Sequence, residues 1–573
     1  MPISITSEPN KVIIYQIFTR LYTNKNATCK ENGSIEENGS GKFNDITADC
    51  LHFLREKGIT HVWYTGVLRH ASTTDYTAYG IPISHPAVVK GKAGSPYAIA
   101  DYYDVDPDLA VDINNRKEEF RQLIGRSHQQ DLKVIIDFVP NHVARQYHSI
   151  AAPAGVKDLG QDDDSSQGFN PAQNNFYYCP GTRFNPSFDL QAGAPSPYEE
   201  FPAKATGNDH FDASPGKNDW YETVKLNYGV DYYAGKKRCF NPIPDTWQKM
   251  LDILIYWASF GVDGFRCDMA EMVPVEFWEW ALPQLKKQFP EVIIIGEVYN
   301  PSLYRRFIEV GFDYLYDKVG MYDILRAVTC GKACASEITL QWQLVSDISS
   351  HMLYFLENHD EQRIASPFFA DDPMKAIPAL AVCLLLRTNP FMLYFGQQYG
   401  EKGMDKEGFS GRDGRTTIFD YWSLASMRRA FAGRLSDAEK MVAEKYYQLM
   451  KIAQTERSVI YGQMFDLMYA NIGSGGFDAR YHYAFMRKWD SELLLVVVNF
   501  SNEAADVNVE IPSHAFDVFG ITETVVVFHD ILHHRRHRTN LKRATTILVY
   551  LEPYGVSVVK MRIPVSHRQR KVS

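Results

Sequence analysis

The sequence predicts an α/β fold: a (β/α)8 TIM barrel with an irregular domain inserted after strand 3 and a C-terminal antiparallel β-sandwich. The barrel is predicted because β-branched apolar segments alternate with helical patterns over residues 1–456, as in parallel strands joined by helices. Four of these segments also end in acids or histidines. The carboxyl ends of all strands meet at one mouth of a parallel barrel, so we expect these side chains to form a single site.

The strands and helices of the barrel follow from apolar periodicity. The predicted strands lie within residues 12–20, 60–65, 132–142, 261–271, 291–299, 312–316, 351–360 and 389–396. Helices are predicted at residues 46–57, 116–130, 247–258 and 274–289, and from the capping-box sequence Ser436-Asp-Ala-Glu439 to about residue 453.

The chain is too long for one hydrophobic core. At 573 residues it should form two or three domains. Between residues 143 and 223 both periodicities disappear, and a structureless loop of that length is unusual, so we expect a small inserted domain B there. The barrel then comprises residues 1–142 and 224–456. Short alternating segments after Gly462 predict a β-sandwich over residues 457–573.

Composition and charge limit the kinds of partner that the protein is expected to bind. The net charge of −9 and the pI near 6.0 argue against a nucleic-acid partner. The one basic cluster, His533–Arg538, is expected to be a solvated loop rather than a phosphate-binding patch. Residues 1–10 lack the features of a secretory leader and no apolar run reaches the ~18–20 residues of a membrane span, so we expect a cytoplasmic protein without a membrane partner. The eight scattered cysteines fit a reduced compartment. The oligomeric state stays open.

The stretch Gly261–Glu271 carries the strongest chemical signal. Arg266 and Asp268 are two residues apart and share one face of a strand. An adjacent guanidinium favours the ionised carboxylate and lowers its pKa, which suits a nucleophile. A structural ion pair at a strand end would produce the same local pattern.

Four motifs, in chain order, resemble the signature motifs of the α-amylase family (glycoside hydrolase family 13). They are Asp137-Phe-Val-Pro-Asn-His142, Gly264-Phe-Arg-Cys-Asp268, Gly296-Glu-Val298 and Glu357-Asn-His-Asp360, and Lys225-Leu-Asn227 resembles an extra motif of the family. The resemblance implies that Asp268 is the nucleophile, Glu297 the general acid/base and Asp360 the carboxylate that stabilises the transition state. It also implies that the substrate is bound by Tyr97, His142, Arg266 and His359.

The family's reaction needs one carboxyl group that donates a proton and one that stays ionised. Glu297 stands among Ile295, Gly296 and Val298 with no cation near in sequence, so we expect a raised pKa that suits a proton donor. The resemblance thus implies a retaining α-glycoside hydrolase acting on α-1,4-linked glucans or malto-oligosaccharides. A transglycosylase or isomerase using the same intermediate is the alternative, and a non-catalytic relative is a further one.

Two features of the sequence concern the binding of calcium and of the leaving-group sugar. Asn141 is often a calcium ligand in the family, so the resemblance allows a bound Ca2+ and implies no other cofactor. Glu271 and Met272 stand where many starch-cleaving relatives have Lys-His contacting the leaving-group sugar. We therefore expect a modest grip on that side and a preference for short α-glucans.

Overall fold

The computed structural model describes residues 11–190, 194, 196–403, 409 and 411–564. Residues 1–10, on which the expectation about a leader rests, lie outside this range.

A closed barrel of eight parallel strands forms the centre of the molecule. In chain order the strands are β1 (Ile13–Phe18), β2 (His61–Thr65), β3 (Lys133–Phe138), β4 (Gly264–Cys267), β5 (Ile293–Gly296), β6 (Tyr314–Tyr316), β7 (Met352–Phe355) and β8 (Phe391–Tyr394). Each strand pairs with its neighbours in this order, and β8 closes the barrel on β1. The TIM-barrel prediction is confirmed.

Helices surround the strands as predicted. They are α1 (Ala48–Glu56), α2 (Arg116–Gln129), α3 (Asp245–Phe260), α4 (Val275–Gln288), α5 (Tyr304–Glu309), α6 (Asp323–Thr329), α7 (Ile338–Leu344), α8 (Ile377–Leu385) and α9 (Asp437–Thr455). The predicted capping box opens α9. The Ser436 hydroxyl accepts from the backbone N–H of Glu439, and the Glu439 carboxylate accepts in return from the Ser436 N–H at 2.7 Å.

Large side chains fill the interior of the barrel. Ile14, Trp63, Ile135, Ile295 and Leu353 point inward from five different strands and are at most 1% exposed. Because this interior is a packed core rather than a pore, polar side chains gather at the end of the barrel where the strands finish. The close packing extends to the outside of β5, since a Cβ on Gly296 would lie 2.7 Å from the ring of Phe312.

The inserted segment joins the barrel next to the end of β3. Its two ends pair as short antiparallel strands, His142–Ala144 with Thr223–Lys225. Between them, Phe184, Leu190 and Ala203 belong to a small apolar cluster that is separate from the barrel core. Other apolar side chains of the segment, such as Leu159 and Phe176, pack against the main core instead.

The C-terminal region is antiparallel β-structure, as predicted. A six-stranded sheet has the order Gln463–Asp466, His482–Trp489, Glu492–Asn499, Val556–Arg562, Thr524–Asp530 and Arg535–Leu541, and a two-stranded sheet pairs Ala505–Ile511 with Thr545–Leu551.

The expectation of a loop at the basic cluster is wrong. Residues 535–541 form the edge strand of the larger sheet, paired with Thr524–Asp530. The side chains of residues 535–538 are exposed, so the cluster is solvated as expected. Charged side chains on an edge strand also oppose pairing with another sheet.

Within the described residues, no helix is both long enough and apolar enough to cross a membrane. All eight cysteines have free thiols.

Candidate active site

The ends of β3, β4 and β5 bring three acids, Asp137, Asp268 and Glu297, next to one another. In the barrel register Arg266 lies opposite Asp137 on one side and Ile295 on the other. The pairing continues past the strand ends, because the N–H of Asp268 donates to Phe138 O at 2.9 Å and that of Glu297 to Cys267 O at 3.1 Å. Asp268 and Glu297 therefore leave neighbouring strands at the same level.

The guanidinium of Arg266 lies between these two acids. Its Nη1 is 2.7 Å from Asp268 Oδ1, and its Nη2 is 2.8 Å from Glu297 Oε2. Arg266 has no exposed surface and is enclosed by aromatic rings, including Trp63 and Tyr97. Its contacts fix the positions of the two carboxylates.

The ionisation of Asp268 differs from the expectation drawn from the sequence. We expected the adjacent guanidinium to lower its pKa. Burial instead raises the pKa of Asp268 well above its usual range, since Arg266 lowers it less and the charge of Glu297 raises it further. The same guanidinium also contacts Glu297 and lies 3.6 Å from Asp137 Oδ1, so one positive charge is divided among three buried carboxyls.

The surroundings of Glu297 also differ from expectation. No cation lies near it in sequence, and we expected its charge to be weakly compensated for that reason, but Arg266, 31 positions earlier in the chain, contacts it directly. Its other contacts are with Met269 N–H, which donates to Oε2 at 2.8 Å, and with the Tyr299 hydroxyl, which donates to Oε1 at 2.5 Å. Met269 has φ of +43°, a conformation that residues other than glycine rarely adopt, and this turns its N–H toward Glu297.

Asp360 belongs to a second polar group across the cavity. Its Oδ2 is 3.0 Å from His359 Nε2, and His359 Nδ1 is 2.9 Å from the side-chain nitrogen of Gln16. Burial raises the pKa of Asp360, but His359 together with the charges of Arg266 and Arg415 lowers it to about 2. Asp360 therefore stays ionised at neutral pH. Its side chain is 41% exposed toward the opening of the site.

Tyr97 and His142, which we expect to bind the substrate, both line the cavity. The Tyr97 ring stacks on His359 with 5.1 Å between ring centroids, and its hydroxyl lies 2.6 Å from His359 Nε2. Burial lowers the pKa of His142 to about 3, so its imidazole is neutral. Neutral imidazole and phenol groups can both exchange hydrogen bonds with hydroxyl groups.

These side chains enclose a cavity of about 270 Å3. It brings together Tyr97, His142, Asp268, Glu297 and Asp360, whereas Arg266 and His359 lie behind its wall. Sequence reasoning missed the residues that complete the lining, which are Lys90, Ser95, Trp220, Glu222, Thr223, Met269, Tyr299, Ile418 and Phe419. Most of them come from loops and the inserted segment, where no periodicity marks them.

Glu271 and Met272 have structural contacts. The Glu271 carboxylate accepts from the backbone N–H groups of Tyr299 and Asn300 at 3.1 and 3.0 Å. It thereby supports the loop that follows Glu297. The backbone oxygen of Met272 accepts from Lys225 Nζ at 3.3 Å.

The surroundings of Asn141 do not fit a calcium ion. Its side-chain oxygen accepts from the ammonium of Lys225, and its side-chain nitrogen donates to Gly207 O at 2.8 Å. Calcium takes six to eight oxygen ligands, yet the described residues contain no cluster of three or more potential metal-binding His, Cys, Asp or Glu side chains. The oxygen that calcium would need is already bound to a cation.

Comparisons with known proteins agree with this architecture. Residues 16–444 match the family model for the alpha amylase catalytic domain. Alpha-amylase 3 of Dictyoglomus thermophilum is 23% identical over 391 residues, which cover 64% of this chain and 68% of the relative. Neopullulanase 2 of Thermoactinomyces vulgaris is 21% identical over a match that covers 88% of this chain and 71% of the relative. The crystal structure of an alpha-amylase from Geobacillus thermoleovorans, complexed with acarbose, superposes with a TM-score of 0.62 at 18% identity and covers 97% of this chain and 99% of that one. This last likeness concerns the fold.

Proposed function

Because this chain belongs to the α-amylase family of glycoside hydrolases, we propose that it cleaves α-1,4-linked glucans or malto-oligosaccharides with retention of configuration. The observation that carries this proposal is the pair Asp268 and Glu297, held by one guanidinium on the wall of a cavity that Asp360 also lines.

In the first step, an oxygen of Asp268 attacks the anomeric carbon while Glu297 gives its proton to the departing glycosidic oxygen. The bond from the anomeric carbon to that oxygen breaks, and a glycosyl ester with Asp268 forms. In the second step, Glu297 takes a proton from water, whose oxygen displaces Asp268. Two inversions at the anomeric carbon give net retention.

The charges of the site support this division of roles. The reaction requires one proton on the two carboxyls, and the repulsion by the charge of Glu297, which helps to raise the pKa of Asp268, opposes the ionisation of both. A substrate with its glycosidic oxygen next to Glu297 would place that proton on Glu297 and leave Asp268 ionised. Asp360, with a pKa of about 2, supplies a fixed negative charge near the positive charge that develops on the sugar ring.

The cavity and the contacts of Glu271 favour short substrates. At about 270 Å3 the cavity is near the lower end of the ~300–1,000 Å3 range of ligand sites. Glu271 is bound to the backbone of the next loop instead of offering a cation to a second sugar. Glu271 and Met272 thus stand in place of the basic pair that would hold a long leaving-group chain, and Glu271 instead stabilises the loop that follows Glu297.

The experiment is product analysis on maltoheptaose. We expect shorter oligosaccharides as products. NMR should show that the anomer formed first is α. Products longer than the substrate would instead make the enzyme a transglycosylase, and a first-formed β anomer would contradict retention. Asp268→Asn serves as the inactive control.

A further inference from the structure

A buried ammonium group lies where the barrel, the inserted segment and the loop after Asp268 meet. Lys225 is 2% exposed, and its Nζ donates to Asn141 Oδ1 and to Met272 O and is 2.6 Å from Asp209 Oδ1. The three oxygens come from the end of β3, the inserted segment and the loop after β4. The ammonium therefore connects three parts of the chain that are far apart in sequence.

These three oxygens are of the kinds that bind hard cations. Amide, carboxylate and backbone oxygens are all suitable ligands for calcium. A lysine that enters such a cluster supplies one positive charge and up to three hydrogen bonds without a metal. A divalent ion could not occupy the same point, because the ammonium already fills it and would repel the ion.

The backbone conformation is constrained at Asp209 and at Lys225. Asp209 has φ of +62°, a left-handed conformation that Asp tolerates better than most residues. Lys225 itself is on the strand that pairs with His142–Ala144, which fixes its side chain beside Asn141. The fold thus holds the ammonium and its partners in place.

We propose that the ammonium group of Lys225 is a built-in cation that joins the inserted domain to the barrel in place of a divalent metal, so that calcium is not needed there. The ammonium also binds the backbone carbonyl of Met272 and thereby holds the loop of residues 268–272 in place. This inference does not depend on the proposed function.

The test measures thermal unfolding of the full chain in EDTA and in millimolar CaCl2. The wild type is expected to unfold at the same Tm in both. Lys225→Met, which keeps much of the side-chain length but removes the charge, should lower Tm by about 5 °C or more, because it leaves Asp209 without its cation. Lys225→Arg should retain more of the stability.

Lys225→Ala gives a second readout. It removes the ammonium and leaves the three oxygens around an open space, so CaCl2 should raise its Tm above the value in EDTA. Lys286→Ala is the matched control, since Lys286 pairs with the single carboxylate of Asp313 at 2.8 Å and its removal leaves no cluster. That variant should show no calcium response.

Two outcomes would overturn the proposal. One is a wild type whose Tm falls in EDTA and recovers with calcium, which can be measured even if a variant does not fold. The other is a folded Lys225→Met with the Tm of the wild type. Neither outcome bears on whether the enzyme cleaves glucans, which maltoheptaose analysis decides separately.

Discussion

Replacement of Arg266 tests the electrostatic arrangement of the site most directly. Its two terminal nitrogens lie against Asp268 and Glu297 separately, at 2.7 and 2.8 Å. A lysine ends in a single nitrogen, so Arg266→Lys keeps at most one of these two ion pairs, of which the one to Asp268 is also a hydrogen bond. Arg266→Met keeps neither and leaves two buried carboxyls without a counter-charge.

The magnitude follows from the charged hydrogen bond to Asp268 and the ion pair with Glu297, which each variant weakens or removes. A hydrogen bond to a charged group contributes ~1.5–3 kcal/mol, and ~1.4 kcal/mol is a factor of ten. Arg266→Lys should therefore lower kcat/KM by about 10–100-fold. Arg266→Met should lower it by at least ~100-fold and, because it unpairs buried charges, reduce stability by ~3–5 kcal/mol.

The pH profile of kcat/KM shows in which direction the pKa of Asp268 changes. The proposed nucleophile must be ionised, so kcat/KM rises with pH as Asp268 loses its proton. Burial raises the pKa of Asp268 and Arg266 lowers it, so removing the guanidinium raises that pKa further. The acidic limb of the profile should therefore move to higher pH in Arg266→Met, and by less in Arg266→Lys, whose ammonium keeps a positive charge.

The assay is kcat/KM on a chromogenic maltoside across the pH range in which the variants stay folded. Arg363→Lys is the matched control, since Arg363 is equally buried and pairs with Glu357 at 2.9 Å away from the cavity. It should lose stability without moving the acidic limb. A folded Arg266→Met variant with wild-type kcat/KM and an unmoved acidic limb would refute the reasoning.

Three further outcomes are expected. Asp268→Asn should lose at least ~10³-fold in turnover while remaining folded, and wild-type turnover in that variant would exclude Asp268 as the nucleophile. Glu297→Gln should slow the cleavage of substrates with poor leaving groups far more than that of glucosyl fluoride, which needs no protonation. Equal losses on both kinds of substrate would exclude the general-acid role. A crystal structure should also show the carboxyl groups of Asp268 and Glu297 about 5–5.5 Å apart. On maltotriose, maltoheptaose and soluble starch, kcat/KM per accessible bond should favour the oligosaccharides, and a clear preference for starch would contradict the inference drawn from Glu271 and Met272.

The positions of the strand ends could be predicted from the sequence. Apolar periodicity locates β3, β4, β5 and β7, and barrel geometry then requires the acids that follow them to converge. The capping box at Ser436 was likewise predictable, because both partners lie within one helical turn. Local patterns of this kind need no knowledge of distant residues.

The pairing of Arg266 with Asp268 could be predicted from their spacing, but charge partners that are distant along the chain could not. Arg266 and Glu297 are 31 positions apart, and Lys225 and Asn141 are 84 apart, so nothing local marks either contact. The basic edge strand was missed for a similar reason, since its backbone partner rather than its own composition makes it a strand.

Strand periodicity is a local property, and together with the rule that the strands of a parallel barrel end at one mouth it was enough to predict which motif residues lie there. The ionisation of those residues and the cation that each one meets depend on the folded chain. Burial turned the expected lowering of the Asp268 pKa into a rise, and folding brought Lys225 to the oxygen of Asn141. Both effects depend on what surrounds a charge in space, because desolvation and Coulomb interactions act over those distances regardless of separation along the chain.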